Sequence, residues 1–382
     1  MKSADYFNFE RLVCARFIGR PNRFTVRCRN ADLGTITAYL PNPGRLWELL
    51  LPDAMLYLTP NNNLDGKTRY TVLAVEREGE PVFLHTHLAG RIAASLIERR
   101  KIPALKNAQV IRNEISAGGS RFDLLLKEGD AEVLAEVKSC TLFGNGVAMF
   151  PDAVTERGRR HLIDLVAQSK GSKPPVVIFL VQTQRVSLFA PDYHTDLAFG
   201  QTLLELRNRL RIVPVAVGWT RNLRLKPRIV PLEIPWKRLE GEIRDVGSYM
   251  LILHVPHARK IVVGKLGMLE FPRGYYIYVG SAMRNLSARL MRHQRRRKRL
   301  KWHIDFLREA AARIVALPVR SSRRLECRIA ARVGGIFEQS HRGFGCSDCN
   351  CETHLYFSED DPLHMRRFHD LLLDLRTEAI RG

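Results

Sequence analysis

The first part of the chain alternates between apolar and polar side chains. Residues 23–29 place an apolar side chain at every second position, and residues 35–40 and 69–75 repeat this alternation. A period of two is typical of a strand with one buried face. Residues 41–44 and 61–66 contain the proline, asparagine and glycine residues of turns. The pattern therefore predicts a small β-barrel at the start of the chain.

From residue 86 onward the pattern changes to strands that alternate with helices. Apolar residues at helical spacing predict helices, and short apolar or alternating runs predict strands. In chain order the predicted elements are a helix at 91–100, strands at 121–127 and 133–138, a helix at 155–168, a strand at 176–181 and a helix at 197–210. Such alternation indicates an α/β core.

Three prolines, Pro227, Pro231 and Pro235, punctuate the next segment and predict a linker. Beyond it the pattern predicts strands at 247–255 and 274–279 and helices at 285–293 and 302–315. The expected fold class is therefore α/β with several domains. The predicted order is an OB-like barrel at 1–85, an α/β core at 86–226, a linker at 227–240 and a second α/β domain at 241–382.

The charge of the chain points to a polyanionic partner. Lys and Arg number 61 against 39 Asp and Glu, which gives a formal net charge of +22 and a pI near 10.1. Such an excess repels itself unless a polyanion neutralises it, so DNA or RNA is the expected partner. The alternatives are a merely basic protein and, more remotely, an anionic membrane surface. The sequence does not identify protein partners.

The chain shows no sign of a membrane span, because no apolar run approaches the ~18 residues that a span requires. Its first five residues hold no apolar signal core, and its seven cysteines are odd in number. Cys14, Cys28, Cys140 and Cys327 are scattered along the sequence. This usage fits a reducing compartment, so we expect a cytoplasmic protein.

Two neighbouring predicted strands carry a candidate metal site. Asp123 lies in the first, and Glu136 and Lys138 share one face of the second. Carboxylates bind Mg²⁺, and a lysine beside them stabilises a nucleophilic water or the charge that develops on phosphate. Glu114 is a candidate for a further carboxylate ligand. The alternative is a set of surface charges on a hairpin.

The residues around this group resemble the sugar fermentation stimulation protein family. The resemblance spans about residues 12–220 and rests on segments at 20–24, 40–46, 119–123, 136–139 and 150–162. It implies an N-terminal OB-like barrel and a core of the PD-(D/E)XK nuclease type. It also implies DNA binding and a regulatory role in the use of maltose and other sugars.

Carried over by position, the resemblance makes Asp123 and Glu136 the metal carboxylates and Lys138 the catalytic lysine. Arg157 and His161 follow on the next helix, four residues apart and so on one face. The candidate nucleic-acid contacts in this half of the chain are Arg23, Arg45, Arg121, Arg157 and His161. The chain departs from the family pattern at two positions: Gly90 stands where the family usually has Asn, and Val154 stands where it usually has Pro. The first departure puts the start of the predicted helix at 91–100 in question.

The second half of the chain contains a run of cations at 292–301. Charge runs on solvated helices usually mix both signs, so an unmixed run is better explained by phosphate contacts. The candidate contacts are Arg292, His293, Arg295, Arg296, Arg297 and Lys298.

Two tyrosine-bearing segments precede this run and resemble the GIY-YIG nuclease pattern over about residues 240–357. The motifs are Gly247-Ser248-Tyr249, Tyr278-Val279-Gly280, Arg289 with His293, Trp302-His303-Ile304-Asp305, Leu325-Glu326-Cys327-Arg328 and Ser347-Asp348-Cys349. Tyr249 and Tyr278 then activate or orient a water, Arg289 clamps the scissile phosphate and Glu326 holds Mg²⁺. The alternative for the tyrosines is ordinary strand packing.

A cluster of soft ligands lies near the end of the chain. Cys349, Cys351 and His354, with Cys346 in the same run, are candidates for a zinc site. Structural zinc sites usually draw ligand pairs from separate segments. A reduced, cysteine-rich loop that packs on the strands therefore remains an equal alternative.

Three functions are consistent with the sequence. The first is an Mg²⁺-dependent phosphodiesterase that acts on DNA or RNA at one or two sites. The second is a DNA-binding regulator of sugar metabolism that uses nuclease folds only for binding. The third is an RNA-processing or repair factor. An intact Asp123–Glu136–Lys138 group favours the first, because paired acids repel phosphate unless a metal intervenes.

Overall fold

The computed structural model describes residue 9, residues 11–61 and residues 68–382, and it begins with a closed barrel. The strands are β1 (Val13–Asn22), β2 (Thr25–Asn30), β3 (Gly34–Tyr39), β4 (Met55–Pro60), β5 (Tyr70–Arg77) and β6 (Glu80–Phe83). Their order is β3-β2-β1-β4-β5-β6, and a β3–β5 pairing closes five of them into a barrel. Alternate residues such as Val26 and Cys28 fill its interior. The OB-like barrel is confirmed, while most of the turn predicted at 61–66 lies outside the described residues.

A mixed sheet with helices on both faces follows the barrel. The elements in order are α1 (Ala89–Glu98), β7 (Gln109–Ala117), β8 (Ser120–Glu128), β9 (Ala131–Cys140), β10 (Leu142–Gly144), β11 (Val147–Phe150), α2 (Glu156–Gln168), β12 (Val176–Val181), β13 (Leu188–Pro191), α3 (Leu197–Leu206), β14 (Arg211–Ala216) and β15 (Val230–Pro231). The large sheet has the order β15-β14-β12-β9-β8-β7, and β10, β11 and β13 form a smaller one. Strands β9, β12 and β14 are parallel, as an α/β core requires.

The fully apolar strand β12 lies in the middle of this sheet and is buried on both faces. Val177 and Phe179 pack in the cluster that contains Leu162 of α2, whereas Ile178 packs in the cluster that contains Ile92 of α1. The two helices therefore cover opposite faces. This arrangement explains why the strand reads as a continuous apolar run rather than an alternating one.

The second α/β module contains a five-stranded antiparallel sheet. Its elements are α4 (Trp236–Glu242), β16 (Gly247–Val255), β17 (Arg259–Val262), β18 (Met268–Phe271), β19 (Gly274–Ala282), α5 (Leu286–Gln294), α6 (His303–Ala310), β20 (Arg313–Arg320), α7 (Glu326–Gly334), β21 (Glu338–Gln339), β22 (Leu355–Ser358) and α8 (Arg366–Arg381). The sheet order is β20-β16-β19-β22-β21, and β17 and β18 form a separate hairpin. Leu286 and Leu290 of α5 and Ile304 and Leu307 of α6 pack with the sheet in one apolar core.

Several predicted boundaries differ from the structure. The helix predicted at 302–315 ends at Ala310, and Arg313 already begins β20. The helix predicted at 197–210 ends at Leu206. The proline-rich segment is not a bare linker, because Val230 and Pro231 pair with β14 as an edge strand. An edge position tolerates proline, whose missing N–H is not needed by a further strand.

The chain forms two compact units. One contains the described residues up to Asp192 together with Ala198–Trp236, and the other contains Tyr193–Leu197 and Lys237–Gly382. Across the part of the chain that the structure describes, no helix has both the length and the apolar character needed to cross a membrane.

Candidate functional site

The first candidate site lies where β8 and β9 meet α2. Asp123 of β8 accepts a hydrogen bond through Oδ2 from the Val137 amide at 2.7 Å. On β9, the Glu136 Oε1 accepts from the Lys138 Nζ at 2.5 Å. The His161 Nδ1, one turn along α2 from Arg157, lies 3.0 Å from the same oxygen. The structure therefore brings Asp123, Glu136, Lys138 and His161 together.

A short hydrogen-bond relay fixes the imidazole beside Glu136. The Arg157 Nε donates to the His161 Nε2 at 3.4 Å, which assigns the imidazole proton to Nδ1 and makes that nitrogen the donor to Glu136. The α2 helix that holds both residues begins after Thr155, whose side chain accepts from the Gly158 amide as an N-cap. Arg157, predicted to contact nucleic acid directly, thus also orients a residue of the site.

The two carboxylates differ in charge. Burial, reinforced by the neighbouring Glu136, raises the pKa of Asp123 to about 6. Burial acts in the same direction on Glu136, but hydrogen bonds and charge from His161 and Lys138 outweigh it and lower its pKa. Glu136 is therefore ionised at neutral pH, and Asp123 gains or loses its proton near neutrality.

These residues fit a divalent cation. The Glu136 Oε2 is buried and has no hydrogen-bond partner, which is costly unless something else satisfies it. Two carboxylates in a buried site supply the hard oxygen ligands that Mg²⁺ prefers. Gly90 lies beside them: a Cβ there would meet the Asp123 Oδ1 at 3.9 Å, an ordinary contact. The departure at Gly90 leaves α1 intact.

A cavity of about 590 Å³ opens over Lys138. Its wall includes Arg23 and Phe24 from the barrel and His87 and Arg157 from the α/β core. Phe24 is 47% exposed, so an aromatic face lies next to cationic side chains. The lining therefore combines cationic side chains with one exposed aromatic ring.

Three other residues predicted for this half are engaged elsewhere. The Arg45 Nε donates to the Asp152 carbonyl, and its guanidinium lies 4.7 Å from the Trp47 ring centroid. The Glu114 carboxylate lies 3.8 Å from the Arg121 guanidinium, and both side chains are exposed. Neither Glu114 nor Arg121 makes a hydrogen bond to Asp123 or Glu136 among those described. Glu114 thus takes no part in the buried group.

The second candidate site forms at one end of the sheet in the second module. Tyr249 of β16 and Tyr278 of β19 have ring centroids 6.4 Å apart, and the Tyr249 hydroxyl lies 2.9 Å from the His293 Nε2. Arg289 of α5 stacks on Trp302 at 4.4 Å from its ring centroid. A cavity of about 520 Å³ is lined by Tyr249, Tyr278, Arg289, His303, Arg324 and Glu326. The four residues predicted from the motif therefore share one cavity.

The tyrosines and the glutamate of this cavity differ in protonation. Burial raises the pKa of both Tyr249 and Tyr278, so their hydroxyls keep their protons at neutral pH. Burial also raises the pKa of Glu326, but the neighbouring His354, Ser281 and Arg324 outweigh it and set it at about 2. The Glu326 carboxylate is ionised: its Oε2 accepts hydrogen bonds from Ser281 and Arg324, and its Oε1 lies 3.3 Å from the His354 Nδ1. It therefore fits a metal ion less well than the pair in the first site.

Comparison with known proteins matches all three parts of the chain. Residues 18–84 match the model of the SfsA N-terminal OB domain, and residues 87–222 match the sugar fermentation stimulation protein RE domain. Residues 248–376 match DUF123, a GIY-YIG-like domain of unknown function. A sugar fermentation stimulation protein homolog from Clostridium kluyveri is 36% identical over 193 residues, which is 50% of this chain and 84% of that protein.

The chain belongs to the sugar fermentation stimulation protein family. A homolog from Chloroflexus aurantiacus is 38% identical over 199 residues, 52% of this chain and 76% of that one. The structure of Pyrococcus furiosus SfsA in complex with Ca²⁺ matches with a TM-score of 0.55 and 28% identity, and covers 61% of this chain and 99% of that one. The curated relatives thus match about half of this chain, and the DUF123 domain adds to them.

In this member of the sugar fermentation stimulation family, the cationic run divides into two groups. Arg292 and Lys298 both bind the buried Asp305 at 2.9 Å, and Lys298 is only 5% exposed. His293 is buried against Tyr249 rather than presented at the surface. Arg295, Arg296 and Arg297 are exposed. Of the six residues predicted to contact phosphate, these three are the exposed cations, and Arg299 and Lys301 of the same run are exposed as well.

The soft ligands near the end of the chain lie together. The ligand atoms of Cys349, Cys351 and His354 approach one another, and Cys327 of α7 joins them. Sequence reasoning missed Cys327 because it lies on a separate segment with no spacing signal to the others. It also missed Asp305 as the carboxylate that organises the cationic run, although the motif that contains it was visible.

Proposed function

We propose that this chain binds DNA and hydrolyses phosphodiester bonds with Mg²⁺ at the group formed by Asp123, Glu136 and Lys138. The observation that carries the proposal is the buried Glu136 carboxylate, which has one oxygen without a partner, next to the half-buried Asp123 and beside Lys138, which lines a cavity with Arg23 and Arg157. The net charge of +22 supports a polyanionic substrate.

A metal ion would resolve an electrostatic conflict between the two carboxylates and a phosphate group. Two acids beside a phosphate group would repel it, whereas a divalent cation between them reverses the local charge. That a relative, Pyrococcus furiosus SfsA, has a structure in complex with Ca²⁺ supports a divalent cation in this family. Ca²⁺ and Mg²⁺ both prefer oxygen ligands and differ mainly in coordination geometry.

Each residue then has a distinct task. Bound between Asp123 and Glu136, the ion would neutralise phosphate charge and lower the pKa of a bound water. His161 and Lys138 hold Glu136 in place through Oε1, which leaves Oε2 free to face the ion. The Lys138 ammonium also faces the cavity and stabilises charge on the phosphate. Arg23 and Arg157 contact flanking phosphates, and Phe24 stacks on a base.

The second module is proposed as a further phosphodiester site. Tyr249 and Tyr278 remain protonated and can donate hydrogen bonds, and Arg289 clamps the scissile phosphate. The Trp302 ring holds Arg289 from one side. Arg295, Arg296 and Arg297 would grip neighbouring phosphates because they are exposed together.

The test uses the full-length protein with labelled single-stranded, duplex and branched DNA and RNA, in Mg²⁺, Mn²⁺ or EDTA. We expect metal-dependent cleavage that Asp123→Asn or Lys138→Ala lowers by about 100-fold or more while binding is kept, because each removes transition-state stabilisation rather than phosphate grip. Glu114→Gln is the matched control, since this exposed carboxylate of the same sheet lies outside the buried group.

The same assay separates the two modules. If both sites cleave, Asp123→Asn and Arg289→Ala each remove part of the activity and the double variant removes all of it. If Asp123→Asn alone abolishes cleavage, the second module is a binding platform. If the wild-type protein binds but cleaves none of these substrates, the enzyme proposal fails and a non-catalytic DNA-binding regulator replaces it.

A further inference from the structure

Four side chains with soft or borderline donor atoms converge in the second module. Cys349, Cys351 and His354 come from the segment between β21 and β22, and Cys327 comes from the first turn of α7. Their ligand atoms all lie within 4.8 Å of one another. The His354 ring is fully buried, and its Nε2 lies 3.5 Å from the Cys349 Sγ.

We propose that Cys327, Cys349, Cys351 and His354 bind one structural zinc ion. Three thiolates and an imidazole form a complete tetrahedral zinc site and exclude the hard cations Mg²⁺ and Ca²⁺. With Zn–S bonds of about 2.3 Å, a tetrahedron has edges of about 3.8 Å, so the present spacing closes on a zinc ion with side-chain movements of about 1 Å or less.

The position of Cys327 decides between a zinc site and a merely cysteine-rich loop. Three candidate ligands on one loop lie close together simply because the loop is short, with or without a metal. A fourth ligand from a separate helix joins two segments of the chain, as the ligands of structural zinc sites usually do. All four coordination positions are then filled by protein, which leaves none for a reacting water. The site is therefore structural rather than catalytic.

The segment that the ion would fix is long and has little regular structure. Fifteen residues lie between Gln339 of β21 and Leu355 of β22, and irregular loops of about this length are uncommon in compact domains. The same segment contributes Gly345, Ser347 and Asp348 to the wall of the second cavity. A zinc ion would hold this wall in place.

The zinc site would also orient a residue of that cavity. The His354 Nδ1 lies 3.3 Å from the Glu326 Oε1. At this distance the buried Nδ1 has no hydrogen-bond partner among the described residues. With Nε2 on zinc, the imidazole proton must be on Nδ1 and would be donated to this carboxylate, an arrangement common behind metal-bound histidines. Glu326 immediately precedes Cys327, so the ion would fix Glu326 through the backbone and through His354. In this role His354 is a positioning residue.

The main experiment measures zinc by mass spectrometry in full-length protein purified with supplemented zinc and without chelators. We expect about one zinc ion per chain in the wild type and in Cys346→Ser, and at least about a tenfold loss in Cys327→Ser. Cys346 is the matched control, because it lies on the same loop and its Sγ donates to the Glu352 carbonyl instead. Well under one zinc in the wild type, or unchanged zinc in Cys327→Ser, overturns the proposal.

A second measurement avoids variants that fail to fold. Wild-type protein loaded with Co²⁺ should show the intense absorption of cobalt thiolate in the near ultraviolet and tetrahedral bands in the visible. Addition of excess zinc should abolish both signals. A spectrum of octahedral Co²⁺ without thiolate bands would refute the site.

The positioning role has its own readout. In ¹⁵N-histidine-labelled protein, the His354 Nδ1–H proton should be visible and protected in the zinc-loaded wild type. Glu326→Gln should keep about one zinc ion per chain but shift this resonance and speed its exchange. If the resonance is the same in both proteins, His354 does not position Glu326, and only the zinc site stands.

Discussion

At Glu136 the two carboxylate oxygens have different surroundings: Oε1 accepts from Lys138 and His161, whereas Oε2 is buried without a partner. A buried acceptor that is left unsatisfied costs about 1–3 kcal/mol. Asp123 is also disfavoured as an anion, because burial raises its pKa to about 6. A divalent cation would remove both costs, which is why we propose one at this group of residues.

The first prediction is that Mg²⁺ stabilises the protein more at pH 7.5 than at pH 5. The pKa of Asp123 is about 6 in the folded protein, against 3.8 as its ordinary value. Without metal, its contribution to stability is therefore fully present below the unfolded pKa and is lost as pH rises through 6. Mg²⁺ needs the carboxylate, so protons compete with it at pH 5 and weaken its binding by about tenfold.

Thermal unfolding with and without Mg²⁺ at the two pH values measures this effect. Asp123→Asn should remove most of the metal-induced shift in melting temperature, and Glu114→Gln should retain it. An Mg²⁺ shift of equal size at both pH values would show that Asp123 is not a ligand.

At the scale of elements, the segment that joins α5 and α6 folds around one buried acid. Asp305 of α6 binds Arg292 and Lys298 and accepts hydrogen bonds from the Lys301 and Trp302 amides. Burial raises its pKa, but these donors outweigh burial and hold the pKa below its usual range. The cations of the run therefore fall into two groups: Arg292 and Lys298 hold the loop through Asp305, whereas Arg295–Arg297 are exposed.

The second prediction is that Asp305→Asn destabilises the second module by about 3–5 kcal/mol, because it leaves the buried Lys298 without its counter-charge. Glu309→Gln, an exposed change on the same helix, should cost less than about 0.5 kcal/mol. Urea unfolding at pH 7 measures both. Equal stability of the two variants would show that the Asp305 ion pairs contribute little.

The local sequence pattern predicted the bounds of some helices and strands correctly and those of others incorrectly. The strands at 176–181 and 247–255 were predicted with the bounds that the structure has, because a continuous apolar run or an unbroken strand pattern leaves little ambiguity. The helix predicted at 302–315 was wrong at its end, since Ile314 and Val315 fit a helical period but pair with β16. Pro231 suggested a linker, yet it lies in an edge strand.

The residues of the candidate sites also differ in how far the sequence alone could bring them together. Glu136 and Lys138 are two residues apart on one strand, so their shared face follows from sequence alone. Asp123 lies on the neighbouring predicted strand, so its place beside Glu136 also follows from the pattern. His161 comes from a helix, and only the resemblance to a known family connected it with the strands. Cys327 lies 22 positions before Cys349 on a different element, and no sequence rule joins them. Long-range convergence of this kind depends on tertiary packing, which local patterns do not encode.

On the scale of the whole molecule, the net charge of +22 is spread over two compact units. Charge of this size does not determine fold, but it governs association with polyanions and its dependence on salt. The structure reduces the number of cations that are available to contact phosphate, because several of them are already paired with acidic side chains. Lys298 and Arg292 belong to Asp305, whereas Arg295, Arg296 and Arg297 face solvent.

The last prediction concerns how DNA affinity depends on salt. If the protein neutralises about six phosphates, the logarithm of affinity should fall against the logarithm of salt concentration with a slope near −5. Replacing Arg295, Arg296 and Arg297 with alanine should make that slope shallower by up to about three units, because each contact releases roughly one counterion. Fluorescence anisotropy over a series of salt concentrations measures it.

If only the net charge of the protein mattered, any three exposed cations would contribute equally to DNA binding. A matched variant distinguishes this explanation from direct phosphate contacts by Arg295–Arg297. Arg99, Arg100 and Lys101 are also exposed, so their replacement with alanine removes the same three charges from another surface. If Arg295–Arg297 contact phosphate, only their variant changes the slope, because counterion release counts contacts rather than total charge. If both triple variants weaken binding equally, the protein attracts DNA through its overall field. A salt response that is flat in the wild type would refute electrostatic binding altogether.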